Sequence, residues 1–298
     1  MIGMKRRSGM ISTSILLQIS LTVGVPSART PDCYGVMDKG SVANITGNFG
    51  ILSSYHVFFQ YAMHWPSWAD ETHQYCFGFG PIAAVQDNVV ESITQFAGVD
   101  WEAKDGGFGT QFSGDVRAAS DETPFLASSD IRDTWPRIGD ERVWPGPFRF
   151  NLNTPDPYDQ VAGEFASDRD IFGVYDDSDN LVQPLGIEVT QMSYSYNRSY
   201  AEDFVFFDLC FKNVSSTIYD SIYIGHYGDF RVDYDNQDLI RFMDSDNDGG
   251  LDFLYYWDVN GEITEPWVVM GMVGVALLHT PENLGATDFH YFLHEVRP

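Results

Sequence analysis

The stretch from Val205 to Lys212 most constrains what this chain can fold into. Val205, Phe207, Leu209 and Phe211 alternate with Phe206, Asp208, Cys210 and Lys212. A period of two puts the first set on one face of an extended strand and the second set on the other. One face is wholly apolar and the other mixed, as a half-buried antiparallel strand requires. Further extended runs read from Tyr55 to Tyr61, Cys76 to Gly80, Ile171 to Tyr175, Ile187 to Tyr196, Ile222 to Phe230, Phe253 to Trp257 and Trp267 to Leu278. Thr, Val and Tyr favour the extended form in the 187–196 run, and the glycines at 78 and 80 mark a place for a bulge. Asn213 to Asp220 supplies turn residues, so Ile222 to Phe230 is expected to return as the second arm of a hairpin.

Helical signals are weak by comparison. Ala83 to Phe96 is the best candidate, and no amphipathic pattern exceeds three turns. Residues 102–165 are rich in Gly, Pro, Ser and Asp and carry Trp135-Pro136, Trp144-Pro145 and Pro155-Asp156-Pro157. Proline holds the residue before it extended, so this part reads as a long irregular connection with short strands. Many short strands between Gly, Pro and Asp turns predict an all-β chain, an antiparallel β-sandwich in one or two packed units with long irregular loops.

At 298 residues the chain is long enough for a sizeable core. Its charge is unusual: 43 acidic against 17 basic side chains give a formal net charge of −26. That sign repels nucleic acid and disfavours anionic membrane surfaces. Aromatic residues at 15% argue against disorder.

Lys5, Arg6 and Arg7 precede an almost uncharged apolar run from Met10 to Val25, followed by small residues through Ala28. This is the pattern of a secretory signal peptide over residues 1–28, and the run is shorter than a spanning helix needs. No second run of that length occurs, so no transmembrane segment is expected. Removing the signal removes three cations and no acid, leaving a still more acidic mature chain. We expect residues 29–165 to form an aromatic, loop-rich β region and 166–298 a sandwich region. Cys33, Cys76 and Cys210 are too few for a disulfide scaffold; a Cys33–Cys76 bond stays open as an alternative to structural thiols.

One motif carries chemistry. In Asp244-Ser245-Asp246-Asn247-Asp248-Gly249-Gly250-Leu251-Asp252, carboxylates stand at positions 1, 3 and 5, a glycine at 6 and an acid at 9. Calcium takes six to eight oxygens, and alternate residues of a tight loop can aim several at one centre. The expected ligands are Asp244, Asp246, Asp248, the carbonyl of Gly250, and Asp252. Tyr255 stands where an EF-hand has its bidentate Glu. The loop therefore resembles the shorter calcium loops of dockerins and thrombospondin type 3 repeats, with the missing ligand sought upstream at Asp229, Asp233, Asp235 or Asp238. The bland alternative is a solvated acidic turn. Asp168, Asp170, Asp176, Asp177 and Asp179 form a second acidic group without that spacing and read as a strand end.

Seven tryptophans invite a carbohydrate reading: Trp65 with Trp68, or Trp135 with Trp144, are candidates for stacking on sugars, against the plain alternative of core filling. His290 and His294 fall in a strand-like apolar run and read as ordinary strand residues. No nucleophile elbow, Walker loop, dinucleotide fingerprint or H-E-x-x-H occurs. Asn44, Asn197 and Asn213 open glycosylation sequons, which matter only in a eukaryotic secretory pathway.

Pro184 to Gln191, Ser193 to Tyr196 and Ala201 to Asp208, continued by Lys212 to Val214, Ile222 to Gly225 and Gly271 to Leu278, resemble the amino-terminal region of large exported proteins of Bacteroidetes-like and related marine bacteria. Many of those end in a type IX secretion sorting domain. The resemblance implies export and further domains beyond Pro298, and it implies no activity. The expectation is a secreted or cell-surface, Ca²⁺-stabilised module with a structural or adhesive role, meeting a glycan or another surface protein. The competing expectation is a polysaccharide-binding module or hydrolase.

Overall fold

The computed structural model describes residues 33–54, 62–67, 73–86, 88–91, 100–105, 125–151, 153–156, 159–178, 180, 183–232, 238–243, 252–259, 263, 267, 269–280, 285–286 and 289. In chain order the strands are β1 (Tyr34–Met37), β2 (Asn44–Gly47), β3 (Cys76–Val85), β4 (Asn88–Glu91) and β5 (Glu102–Asp105). Then come β6 (Ala127–Ser128), β7 (Arg137–Ile138), β8 (Glu141–Arg142), β9 (Arg169–Asp176) and β10 (Ile187–Ser195). The last are β11 (Val205–Asn213), β12 (Tyr223–Phe230), β13 (Asp238–Met243), β14 (Asp252–Asp258) and β15 (Val273–Leu277). Among the described residues the one helical element is a single 3-10 turn, Arg132–Thr134. Every ladder between these strands is antiparallel. The chain is all-β.

The central sheet runs β11-β10-β9-β5, with β6 also on β9. Ser193 stands opposite both Phe207 and Ile171, which defines its inner face. The sheet β12-β3-β4 packs over one part of that face. There Ala83 and Val90 share a core with Trp101, Tyr175, Ile187 and Val189, and Phe79 meets Phe207 edge-on across the layers at 6.2 Å. The β1-β2 ribbon covers another part. Gly35 lies so close to Ile171 that a Cβ there would fall 2.6 Å from Cγ2, and Gln191 Nε2 donates to Thr46 Oγ1 at 2.8 Å. This face-to-face layering is sandwich packing.

The outer face of the central sheet buries Phe172 and Met192 under Trp135, Trp144, Phe148 and Phe165. The sheet β13-β14-β15 joins through Tyr256, Val273 and Val275 to the core around Phe79, Phe230 and Trp267.

Two expectations change. β12 does not form a hairpin with β11; it pairs with β3, Tyr227 opposite Gly80. The nine residues between β11 and β12 are long enough to cross the ~10 Å between layers. Val214 N–H donates to the Gly186 carbonyl and the Tyr219 hydroxyl to that of Leu185, which steers this segment along β10. The expected helix from Ala83 is instead the end of β3 and then β4, with Val85 opposite Asn88; β-branched Val85, Val89 and Val90 suit that form, and 92–96 lie outside the described residues. Strand pairing crosses residue 165, since β3 pairs with β12 and β5 and β6 pair with β9.

The bulge expected near the glycines of β3 is present. Asp229 pairs with Gly78 and Phe230 with Cys76, leaving Phe77 as the extra residue. The 267–278 run is a strand only over β15. The Cys33–Cys76 bond is not formed: each is a buried thiol in a different core cluster, and Cys210 is exposed. The 55–61 run and the His290 and His294 positions lie outside the described residues.

Candidate functional site

The acidic motif occupies the connection between β13 and β14. Met243 pairs with Phe253, so antiparallel strands hold the two ends of the loop together. Asp244, Asp246, Asp248 and Gly250 lie outside the described residues. Asp252 opens β14 opposite Leu277 and is 4% exposed. Its Oδ2 accepts a hydrogen bond from the Ala286 amide at 2.5 Å. The ninth position of the motif is thus fixed by tertiary structure.

The upstream acids stand elsewhere. Asp238 begins β13 and faces Asp258 at the end of the hairpin remote from the loop. Five residues at ~3.4 Å each put it ~17 Å from Met243, too far to share a cation with the loop. Asp229 is the next-to-last residue of β12; Asp233 and Asp235 lie outside the described residues. Asp238 Oδ2 accepts from the Val232 amide at 2.8 Å. Burial, then Asp229, Tyr227 and Asp238, push the Tyr256 phenol up to about 12. Burial likewise pushes the Cys76 thiol up to about 12, against a Ser53 hydrogen bond that lowers it, with Asp229 adding to the rise. Cys76 is therefore a protonated thiol at neutral pH, and a thiol is a poor nucleophile. Among the described residues no three His, Cys, Asp or Glu side chains gather as a metal group.

The second acidic group divides between the two ends of β9 and serves the backbone. Asp170 is 1% exposed and accepts from the Ala166 and Ser167 amides at 2.8 Å each and from the Ser167 hydroxyl at 2.5 Å. Asp177, also 1% exposed, accepts from the Leu185, Gly186 and Ile187 amides. Asp168 accepts from the Asn197 amide and Asp176 from that of Ser178. Asp179 lies outside the described residues. Two of these carboxylates are buried loop anchors, not solvated strand ends.

Trp135 and Trp144 do come together, edge to face at 5.6 Å, with Trp144 in the core and Trp135 half-buried against it. Both pack on Phe165, their indole N–H groups donate to the Ser128 and Pro147 carbonyls, and Trp144 is 7% exposed. Trp65 is half-buried, with Nε1 donating to Asp203 at 2.9 Å; Trp68 lies outside the described residues. Beside Trp135 an open concavity of about 700 Å³ is lined by Asp130, Arg132, Asp133, Arg137, Glu141 and Arg142. Arg142 donates to the Trp135 carbonyl at 2.7 Å and Arg132 lies 5.8 Å over its ring. Charges of both signs, Asp140 among them, line it.

Sequence reasoning missed an ion cluster around one buried arginine, with partners that reach the surface. Arg169 grips Asp130 with Nε and Nη2 at 2.7 and 2.8 Å, and Asp38 with Nη1 at 2.8 Å. Lys39 adds a contact to Asp130 at 2.6 Å. Its only linear trace is an arginine breaking an apolar strand face. Among the described residues no helix is long and apolar enough to cross a membrane. No family model, curated protein or solved structure matches this chain.

Proposed function

We propose that this chain is a Ca²⁺-stabilised layered β module of a secreted or cell-surface protein, with a structural or adhesive role and no catalysis. The supporting observation is the closure of the acidic loop by Met243 opposite Phe253, with Asp252 anchored to Ala286. A loop whose ends are already held loses less conformational entropy when its carboxylates converge on an ion. Carboxylates so crowded repel one another until a cation neutralises them. Secretion rests on the signal pattern over residues 1–28.

Melting the full chain in Ca²⁺, in Mg²⁺ and in chelator tests this. Calcium at ~100 times its dissociation constant should stabilise by ~2.7 kcal/mol. Asp246→Asn with Asp248→Asn should abolish that gain and leave the melt in chelator unchanged or raised. Identical melts of the parent chain in saturating Ca²⁺ and in chelator sink the proposal.

A further inference from the structure

We propose that β11 is the edge through which two copies of this chain pair, antiparallel and centred on Cys210. Among the described residues β11 has one strand neighbour, β10, and ends the central sheet. Its outward-facing side chains Asp208, Cys210 and Lys212 are exposed. An edge of this length is a template for another strand unless something blunts it.

The residue pattern selects the partner. In an antiparallel pair of identical strands, placing Cys210 opposite Cys210 puts Asp208 of each copy opposite Lys212 of the other. The same register sets Phe206 against Val214, which is 46% exposed. A two-fold axis normal to the sheet keeps these side chains on one face. The strand is therefore self-complementary in charge, as an isologous interface must be, and opposite charges directly across an antiparallel pair are favourable. Lys212 also lies 3.8 Å from Glu188 on β10 while remaining 67% exposed, so it is placed between its own acid and the partner's. The plain alternative makes Asp208 and Lys212 charges that keep the edge single. The two readings differ in what charge reversal does.

Sedimentation velocity of the full chain over a concentration series gives the reading. The parent chain should form a dimer. Asp208→Lys and Lys212→Asp, each alone, set like charges opposite one another twice per dimer and should weaken it about tenfold or more. Both together restore the pairs and should recover the parent's affinity. A parent chain that stays monomeric overturns the proposal, and so does a dimer indifferent to both single changes or not recovered by the double change. Cross-linking supplies a readout independent of those variants. Opposed residues have Cα atoms ~4.5–5.5 Å apart, within disulfide reach. With oxidised glutathione as the oxidant, two Cys210 thiols form one S–S bond while the glutathione disulfide is reduced to two thiols. A species of twice the mass under non-reducing conditions, lost in Cys210→Ser, is expected; its absence counts against the register.

Discussion

Arg169 is a cation placed where the apolar inner face of the central sheet would otherwise continue beyond Ile171. It is 8% exposed, and two carboxylates and the Val36 carbonyl surround it. Burial alone would raise the Asp130 carboxyl, but hydrogen bonds and charge from Arg169 and Lys39 outweigh it and hold that carboxyl below its ordinary value. A carboxylate depressed in the folded state adds stability above its unfolded value and loses it as pH falls through the folded one. Asp130→Asn leaves Arg169 half-partnered and should destabilise by ~1–3 kcal/mol near neutral pH, since Asp130 itself reaches solvent. That difference should shrink as pH falls from the ordinary aspartate value of about 3.9 toward the lower folded value of Asp130; urea unfolding of both proteins near neutral pH and in acid measures it. Asp170 has the opposite sign. Burial raises it despite the hydrogen bonds from Ser167 and Ala166, so its contribution is greatest in acid and declines as pH rises through its folded value. Gly50 is a purely steric case. Its φ is +74°, and a Cβ would run into the Trp101 side chain. Gly50→Ala should destabilise by ~1–3 kcal/mol in the same unfolding measurement.

Strands were readable at the element scale from alternation and residue preference, and their partners were not. Val205 to Phe211 announces an apolar face by alternation and Ile187 to Ser195 an extended form by its Thr, Val and Tyr, and both become strands of the central sheet. Nothing in Asn213 to Ile222 distinguishes a turn that returns beside β11 from one that crosses to the other layer. That choice depends on Gly186 and Leu185, distant in sequence, which accept hydrogen bonds from the connection. Asp170 and Asp177 were visible as acids, but their role depends on which backbone amides the fold brings to them. The β13-β14 loop was readable as a motif because its ligand spacing is local; the anchoring of Asp252 by Ala286 was not. The crossing has a direct test. Cysteines replacing Ala84 and Tyr223, which are opposed across β3 and β12, should form a disulfide in a Cys210→Ser background, since opposed strand residues lie within disulfide reach. Cysteines replacing Phe211 and Ile222 should not. Peptide mapping under non-reducing conditions separates the two arrangements, and a bond in the second pair alone restores the hairpin.

Acidity acts on the whole molecule in two ways that respond differently to ions. A net charge of −26 makes the compact state repel itself. Nine aspartates against two arginines between Asp229 and Asp258 concentrate part of that repulsion around one hairpin. The diffuse part is screened by any salt, because the Debye length falls from ~30 Å at 0.01 M to ~3 Å at 1 M. The melting temperature should therefore rise with NaCl and level off once screening is complete. The local part needs an ion of suitable size bound by several oxygens, so calcium should add a further rise on that plateau and sodium should not. The two effects separate in one experiment: melts across NaCl concentration, each with Ca²⁺ or chelator. A calcium increment that persists at the plateau assigns the stabilisation to a bound ion. An increment that vanishes there reduces calcium to ionic strength, and the acidic hairpin to one more part of a uniformly charged surface.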